Sequence, residues 1–217
     1  MNTKKVLELI NQGSLDSDFI DIYVDTEQLE YQKKRYVNAI MKFEEHYGDG
    51  EIKIFSAPGR SEIGGNHTDH QHGKVLACAI NKDAIAIVKK VKDDEVRIVS
   101  DDAKEIVVDI ADVTICEEEK GSTLALVKGV LAGFLERGYK VGGFHTYITS
   151  DVLIGAGLSS SAAFETVIGT IISGLYNEMS ISAVDIAIIG QYAENVYFGK
   201  PCGLMDQMAC SVGNLVH

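Results

Sequence analysis

The order of periodicities along this chain predicts an α+β fold: a two-layer lobe with a mixed β-sheet backed by helices, preceded by a helical N-terminal extension. Short alternating runs crowd residues 51–110, helical runs fill residues 157–212, and an acidic amphipathic stretch occupies residues 1–50. Strands followed by helices, with no internal repeat and no dividing linker, favour α+β over a regularly alternating α/β fold.

Within the extension, Tyr36, Ile40, Phe43 and Tyr47 cover one face of a helix over Gln28–Tyr47, which Gly48-Asp49-Gly50 breaks. Glu51–Ser56 alternates as a strand that is expected to end at Pro58-Gly59. Val75–Ile80, Ala84–Val91, Val96–Ser100 and Glu105–Ile110 read as four further strands. Leu124–Arg137 reads as a helix closed by Gly138, and Gly143–Thr149 as a strand entering a loop of small residues. Helices follow at roughly 157–176, 182–198 and 204–212, with Ser182-x-x-Asp185 as a capping box for the second. Residues 1–50 are thus an extension expected to pack on a lobe formed by 51–217. Leu215-Val216-His217 begins an apolar segment with no closing element, as expected of a piece of a larger protein.

Composition narrows the classes. A length of 217 residues, 46% of them hydrophobic, supports one sizeable core. The net charge of −12 argues against a nucleic-acid partner, and the acid runs Asp93-Asp94-Glu95 and Glu117-Glu118-Glu119 read as solvated turns. Asp83–Val91 and Thr166–Leu175 are too short or too interrupted to cross a bilayer, and Met1–Glu8 lacks a secretory apolar stretch. Cys78, Cys116, Cys202 and Cys210 show no CxxC spacing. The expectation is a cytoplasmic protein with reduced thiols, no membrane contact and, by preference, a monomeric state.

Three segments carry chemistry. Gly155-Ala156-Gly157-Leu158-Ser159-Ser160-Ser161 lets the backbone approach an anion, then offers hydroxyls and N–H groups at a helix N-terminus. Its bland alternative is a serine-capped helix packed on a sheet. No GxxxxGK[ST] pattern is present, and Ser160 stands where a GxGxxG fingerprint needs its third glycine. In Arg60–His70, Asp69 can accept two hydrogen bonds from adjacent hydroxyls, and Arg60 offers a fixed donor fork unless it merely pairs with Asp69 or Glu62. His67, His70 and His72 with Asp69 also permit a metal centre, for which His145 and Asp151 are the outlying candidates. The third segment, Gly203-Leu204-Met205-Asp206-Gln207, places one acid after Pro201-Cys202, where a first-turn helix acid is the ordinary reading. A hydroxyl-reading turn, a phosphate cradle and an acid together point to phosphoryl transfer to a sugar hydroxyl.

These segments resemble galactokinases of the GHMP kinase superfamily, from about Ala57 onward. Arg60, Gly65, His67, Thr68 and Asp69 match the sugar signature in register, Gly155–Ser161 the ATP loop, and Gly203–Gln207 the catalytic-acid segment. The resemblance implies the GHMP fold, ATP and Mg²⁺ as cofactors, and phosphorylation of galactose at C1. It gives Asp206 and Arg60 catalytic roles, makes Asn66, His67, Asp69 and Gly203 sugar-binding, and assigns Mg²⁺ to Ser161 and Glu194. Three positions depart from it: Asn66 replaces a glutamate that binds the C6 hydroxyl, His70 a tyrosine, and Leu153 a proline. Asn66 therefore raises galacturonate as an alternative sugar, and a non-catalytic galactose and ATP sensor is the alternative outside enzymes. The family's second lobe has no counterpart in these residues, so weak activity or none is expected of the chain alone.

Overall fold

The computed structural model describes residues 1–101 and 103–217. Three helices lead: α1 (Thr3–Asn11), α2 (Asp16–Tyr23) and α3 (Leu29–Tyr47). Asn2 caps α1 by accepting from the Lys5 N–H, and Asp16 and Asp18 occupy the first turn of α2, where the helix dipole favours acids. Tyr36, Ile40 and Phe43 of α3 are buried as their spacing predicts, with Tyr47 partly buried beside them. Then come β1 (Lys53–Gly64), β2 (Leu76–Lys90), β3 (Glu95–Ser100) and β4 (Ile106–Asp109). After them run α4 (Thr123–Glu136), β5 (Phe144–Ser150), α5 (Ser160–Tyr176), α6 (Ala183–Tyr192), α7 (Met205–Val212) and β6 (Leu215–Val216).

The strands form a mixed sheet in the order β1-β2-β5-β3-β4, with β6 also pairing with β2. β3 and β5 are parallel, and every other pairing is antiparallel. Alternation along β2 assigns its two faces. Ala84, Ala86 and Val88 join the core beneath α4, α5 and α6, whereas Ile85 and Ile87 join a second core beneath α1, α2 and α3. The helical extension thus lies on the sheet face that the lobe's own helices leave open. Among the described residues, no helix is long and apolar enough to cross a membrane. All four cysteines carry free thiols.

Several sequence expectations shift. β1 does not stop at Pro58-Gly59 but runs to Gly64, with a register shift between Pro58 and Arg60. Proline cannot donate to the ladder, and the bulge accommodates it. Gly59 has a second reason to be there: a Cβ at that position would lie 2.9 Å from the Leu158 carbonyl oxygen. The Arg60 N–H donates to that same oxygen at 3.1 Å. The bulge therefore brings β1 against the small-residue loop.

The two strands expected at Val75–Ile80 and Ala84–Val91 are one strand, because Asn81-Lys82-Asp83 stays extended. Asp83 tolerates burial there because Arg35 Nη1 donates to it at 2.6 Å and the Tyr23 hydroxyl at 2.9 Å. Arg35 Nη2 also donates to the Asp83 carbonyl at 2.7 Å, and Nη1 lies 3.4 Å from Asp151 at the end of β5. α5 begins at Ser160 rather than 157, since Gly157 and Ser159 hold left-handed φ values of 73° and 58°. The helix expected over 182–198 is α-helical only to Tyr192, and Ala193–Phe198 widens into a π-helical turn closed by Gly199. The Ser182 hydroxyl does accept from the Asp185 N–H, at 3.0 Å. Leu215 and Val216, expected to lack a closing element, pair with Cys78 and Ala77 of β2. Remaining element ends move by one or two residues.

Removing one partner of the buried Arg35–Asp83 pair strands a charge. Arg35→Ala is expected to cost about 3–5 kcal/mol of stability, read as a lower midpoint in urea denaturation. A loss under about 1 kcal/mol, the range of exposed pairs, would refute the role given to this contact.

Candidate active site

A cleft of about 460 Å³ opens where the end of β1, the loop before α5 and the turn before α7 converge. Arg60 leaves the β1 bulge and is almost fully buried on its floor. Its Nε donates to Asp206 Oδ1 at 2.7 Å and its Nη2 to Oδ2 at 2.9 Å, a bidentate pair joining β1 to the first turn of α7. Arg60 Nη1 donates to the Gly157 carbonyl at 2.5 Å, which ties the loop before α5 to the same guanidinium. Arg60 thus pairs with Asp206, neither with Asp69 nor with Glu62.

Ser159 does not cap α5. Its left-handed backbone turns the hydroxyl toward Asp206 Oδ2, to which it donates. Burial pushes the Asp206 carboxyl up, but the hydrogen bonds from Arg60 and Ser159 and the Arg60 charge outweigh it and hold it below the usual carboxylate range. Asp206 is therefore ionised at neutral pH.

His67 bridges the acids, with Nε2 at 3.2 Å from Asp206 Oδ1 and Nδ1 at 3.3 Å from Asp69 Oδ1. Asp69 Oδ2 accepts the Met205 N–H at 2.9 Å, capping α7, while its buried Oδ1 has no hydrogen-bond donor among the described residues. Gly203 is required beside it, because any side chain there would overlap the Asp69 carboxylate. Gly65, Asn66 and His67 all hold positive φ, and Asn66 projects as an exposed residue. Glu62 orders this turn by accepting the His67 N–H at 2.8 Å. His70 Nδ1 lies 2.8 Å from the His67 carbonyl, and His145 packs on the Tyr47 ring instead of joining the loop. Among the described residues, no three His, Cys, Asp or Glu side chains gather as metal ligands, so the histidine turn does not form the alternative metal centre.

On the far wall, Ser161 Oγ donates to Glu194 Oε1 at 2.6 Å. Glu194 is the second residue of the π-helical turn and is nearly inaccessible, with Lys200 Nζ 3.9 Å away. Gly155, Gly157, Leu158, Ser159, Ser160 and Ser161 all line the cleft; Ala156 lies in the same turn. The structure thus gathers Arg60, His67, Asp69, the small-residue loop, Glu194, Gly203 and Asp206, whereas Asn66 is exposed and does not line the cleft.

Sequence reasoning missed Glu165, which is 1% exposed on α5 and accepts from Gln207 Nε2 at 3.3 Å. Burial, then the Glu194 charge, raise its carboxyl well above the ordinary range and favour its protonated form. Its position was readable: it stands three residues after Ala162 and seven before Ile172 on the buried face of α5.

Residues 41–90 match the galactokinase galactose-binding signature, and residues 125–214 match the GHMP kinases N-terminal domain. A galactokinase from Clostridium tetani is 33% identical over 187 residues, covering 85% of this chain and 47% of that protein. One from Pyrococcus furiosus is 40% identical over 157 residues, covering 72% of this chain and 43% of that protein. Among solved structures, Lactococcus lactis galactokinase complexed with galactose superposes with a TM-score of 0.72 at 28% identity, covering 78% of this chain and 44% of that one. Methanococcus jannaschii mevalonate kinase shares the fold, with a TM-score of 0.65 at 20% identity over 76% of this chain and 53% of that one. The chain spans about half the length of the relatives it matches.

A carboxyl with a raised folded-state value binds its proton more tightly when folded, so its contribution to stability falls as pH rises above the unfolded value of about 4.3. Glu165→Gln does not titrate. It is expected to gain stability relative to the unsubstituted protein from pH 4 upward, measured by denaturant unfolding at several pH values. A difference that stays constant from pH 3 to 8 would contradict a protonated Glu165.

Proposed function

Since this chain belongs to the galactokinase family of the GHMP kinase superfamily, we propose that the protein transfers the γ-phosphoryl group of ATP to the C1 hydroxyl of galactose. The observation that carries the reading is the pairing of Arg60 and Asp206 beside the small-residue loop that opens α5, in one cleft. The C1 oxygen attacks the γ-phosphorus, an O–P bond forms, and the bond to the β-phosphate oxygen breaks with its electron pair leaving on ADP. The proton of the C1 hydroxyl passes to Asp206 and then to water. A carboxylate held ionised is a weak base, so Asp206 acts largely by attracting that proton as it departs. Arg60 stabilises the charge developing on the same oxygen, as positioning and electrostatics suffice for phosphoryl transfer.

In this reading Asp69, whose buried Oδ1 accepts no hydrogen bond among the described residues, and His67 receive sugar hydroxyls beside Gly203. Gly155, Ala156, Gly157, Leu158, Ser159, Ser160 and Ser161 cradle the triphosphate. Ser161 and Glu194 suit Mg²⁺, which takes few protein oxygens and completes its shell with phosphate and water. When bound, the ion would neutralise charge on the phosphates. Residues 1–50 serve as an extension buttressing the sheet, and 51–217 as the lobe that forms one wall of the cleft. Activity of the chain alone is then low. A cytoplasmic monomer fits an ATP-dependent sugar enzyme. The intact Arg60–Asp206 and Ser161–Glu194 pairs favour catalysis over a sensor.

Asn66 supports a second sugar. An amide at this position removes a negative charge and adds a donor, so it accepts a C6 carboxylate as in galacturonate. Asn66→Glu is expected to raise the galactose-to-galacturonate rate ratio at least about tenfold, the worth of one charged hydrogen bond. An unchanged ratio sinks this assignment. The kinase itself is tested by galactose-dependent ADP release in the presence of Mg²⁺. Asp206→Ala is expected to lower kcat by about 10²- to 10⁴-fold; binding of galactose and ATP by the unsubstituted protein without turnover would favour the sensor.

A further inference from the structure

The cradle before α5 lacks a fixed positive charge: residues 151–161 contain neither lysine nor arginine. A triphosphate that reaches this cleft enters a protein of net charge −12. Of the two Lys or Arg side chains lining the cleft, Arg60 has its charge paired with Asp206 and donates also to the Gly157 carbonyl. The other is Lys200, in the turn between the π-helical segment and α7, which lines the same cleft as Ser160 and Ser161.

The backbone of Lys200 is anchored, whereas its side chain is only loosely tied. Its N–H donates to the Glu194 carbonyl at 3.0 Å, and Pro201 restricts the backbone of Lys200 before it. Cys202 is held by Asn195 Oδ1 at 2.7 Å and by Gln191 Nε2 at 3.2 Å. The side chain is 61% exposed, and its ammonium lies 3.9 Å from Glu194 Oε1, an ion pair without a hydrogen bond. With the lysine end exposed and no hydrogen bond formed, the contact holds the ammonium loosely, although Glu194 itself is buried. The four-carbon stem then allows the ammonium to exchange that contact for a phosphate oxygen.

We propose that Lys200 is the phosphate-binding cation of this site, supplying from the α7 side the charge that P-loop proteins carry within the loop itself. The inference rests on the nucleotide reading of the cleft and adds to it a residue outside the three sequence segments. A point charge on a flexible stem suits the β- and γ-phosphates, whose positions change during transfer. Its contribution therefore grows with the number of phosphates on the ligand.

The test is calorimetric titration of this chain with ATP, ADP and AMP in Mg²⁺, comparing the unsubstituted protein with Lys200→Met and Lys200→Arg. Lys200→Met is expected to weaken ATP about tenfold, the loss of one charged contact, ADP less, and AMP not at all. Lys200→Arg should keep most of the ATP affinity, and galactose binding should not change in either variant. The exposed position makes a folding defect improbable, and unaltered thermal unfolding checks this. ATP binding that is unaffected by Lys200→Met, or weakened equally for all three nucleotides, overturns the inference while leaving the nucleotide site in place. Absence of nucleotide binding by the unsubstituted chain overturns the nucleotide reading itself and this inference with it.

Discussion

The bidentate contact between Arg60 and Asp206 is the constraint on which the rest of the site depends. It joins residues 146 positions apart and brings a strand, a loop and a helix to one point. Neither charge is stable in that position without the other, because burial without a partner costs several kcal/mol. Once they pair, the third guanidinium nitrogen fixes the Gly157 carbonyl, and the carboxylate takes the Ser159 hydroxyl. The left-handed backbone at Ser159 is the local expense of that arrangement. Phosphate cradle and acid are therefore not independent motifs that happen to lie close. One ion pair sets the distance between them.

A second buried pair supports the first from beneath. Arg35 reaches through the extension to Asp83, at the point where β1 bulges opposite Pro58 and β5 gives way to the cradle. Tyr23 completes the network by donating to the same carboxylate. The N-terminal helices thus hold the strand ends from which Arg60 and the small-residue loop depart, in addition to covering the Ile85 and Ile87 face. Burying charge for rigidity is costly in a core, but it fixes direction in a way that aliphatic packing does not.

Most of the fold was legible because periodicity and turn chemistry are local. The apolar stripe of α3, the Ser182 cap and the alternating strands all followed from neighbours within a few residues. The errors came where a distant partner reversed a local signal. Asn81-Lys82-Asp83 has the composition of a turn, yet stays in a strand because Arg35 answers Asp83 from 48 residues away. Pro58-Gly59 has the composition of a strand end, yet continues as a bulge because the Leu158 carbonyl is waiting for the Arg60 N–H. The site segments were readable from residue type and order, whereas the identity of Arg60's partner was not. Glu165 escaped notice because it sits in an apolar helix whose neighbours gave no reason to single out one acid.

The π-helical turn at Ala193–Phe198 makes the cleft sensitive to length as well as to side-chain chemistry. A wide turn holds one residue more than an α-helical turn would over the same rise. Glu194 enters it from α6, and the chain leaves it toward Gly203 and Asp206, twelve positions after Glu194. Deleting a single residue there would let the segment tighten into an ordinary α-helix, which is locally the better-bonded structure. The same deletion would draw the Pro201–Gly203 turn away from Asp69 and carry Asp206 off the guanidinium. Insertions and deletions in the exposed turn between β2 and β3 leave the cleft's dimensions untouched, so across natural variants of this lobe the interval from Glu194 to Asp206 should stay constant while that turn drifts.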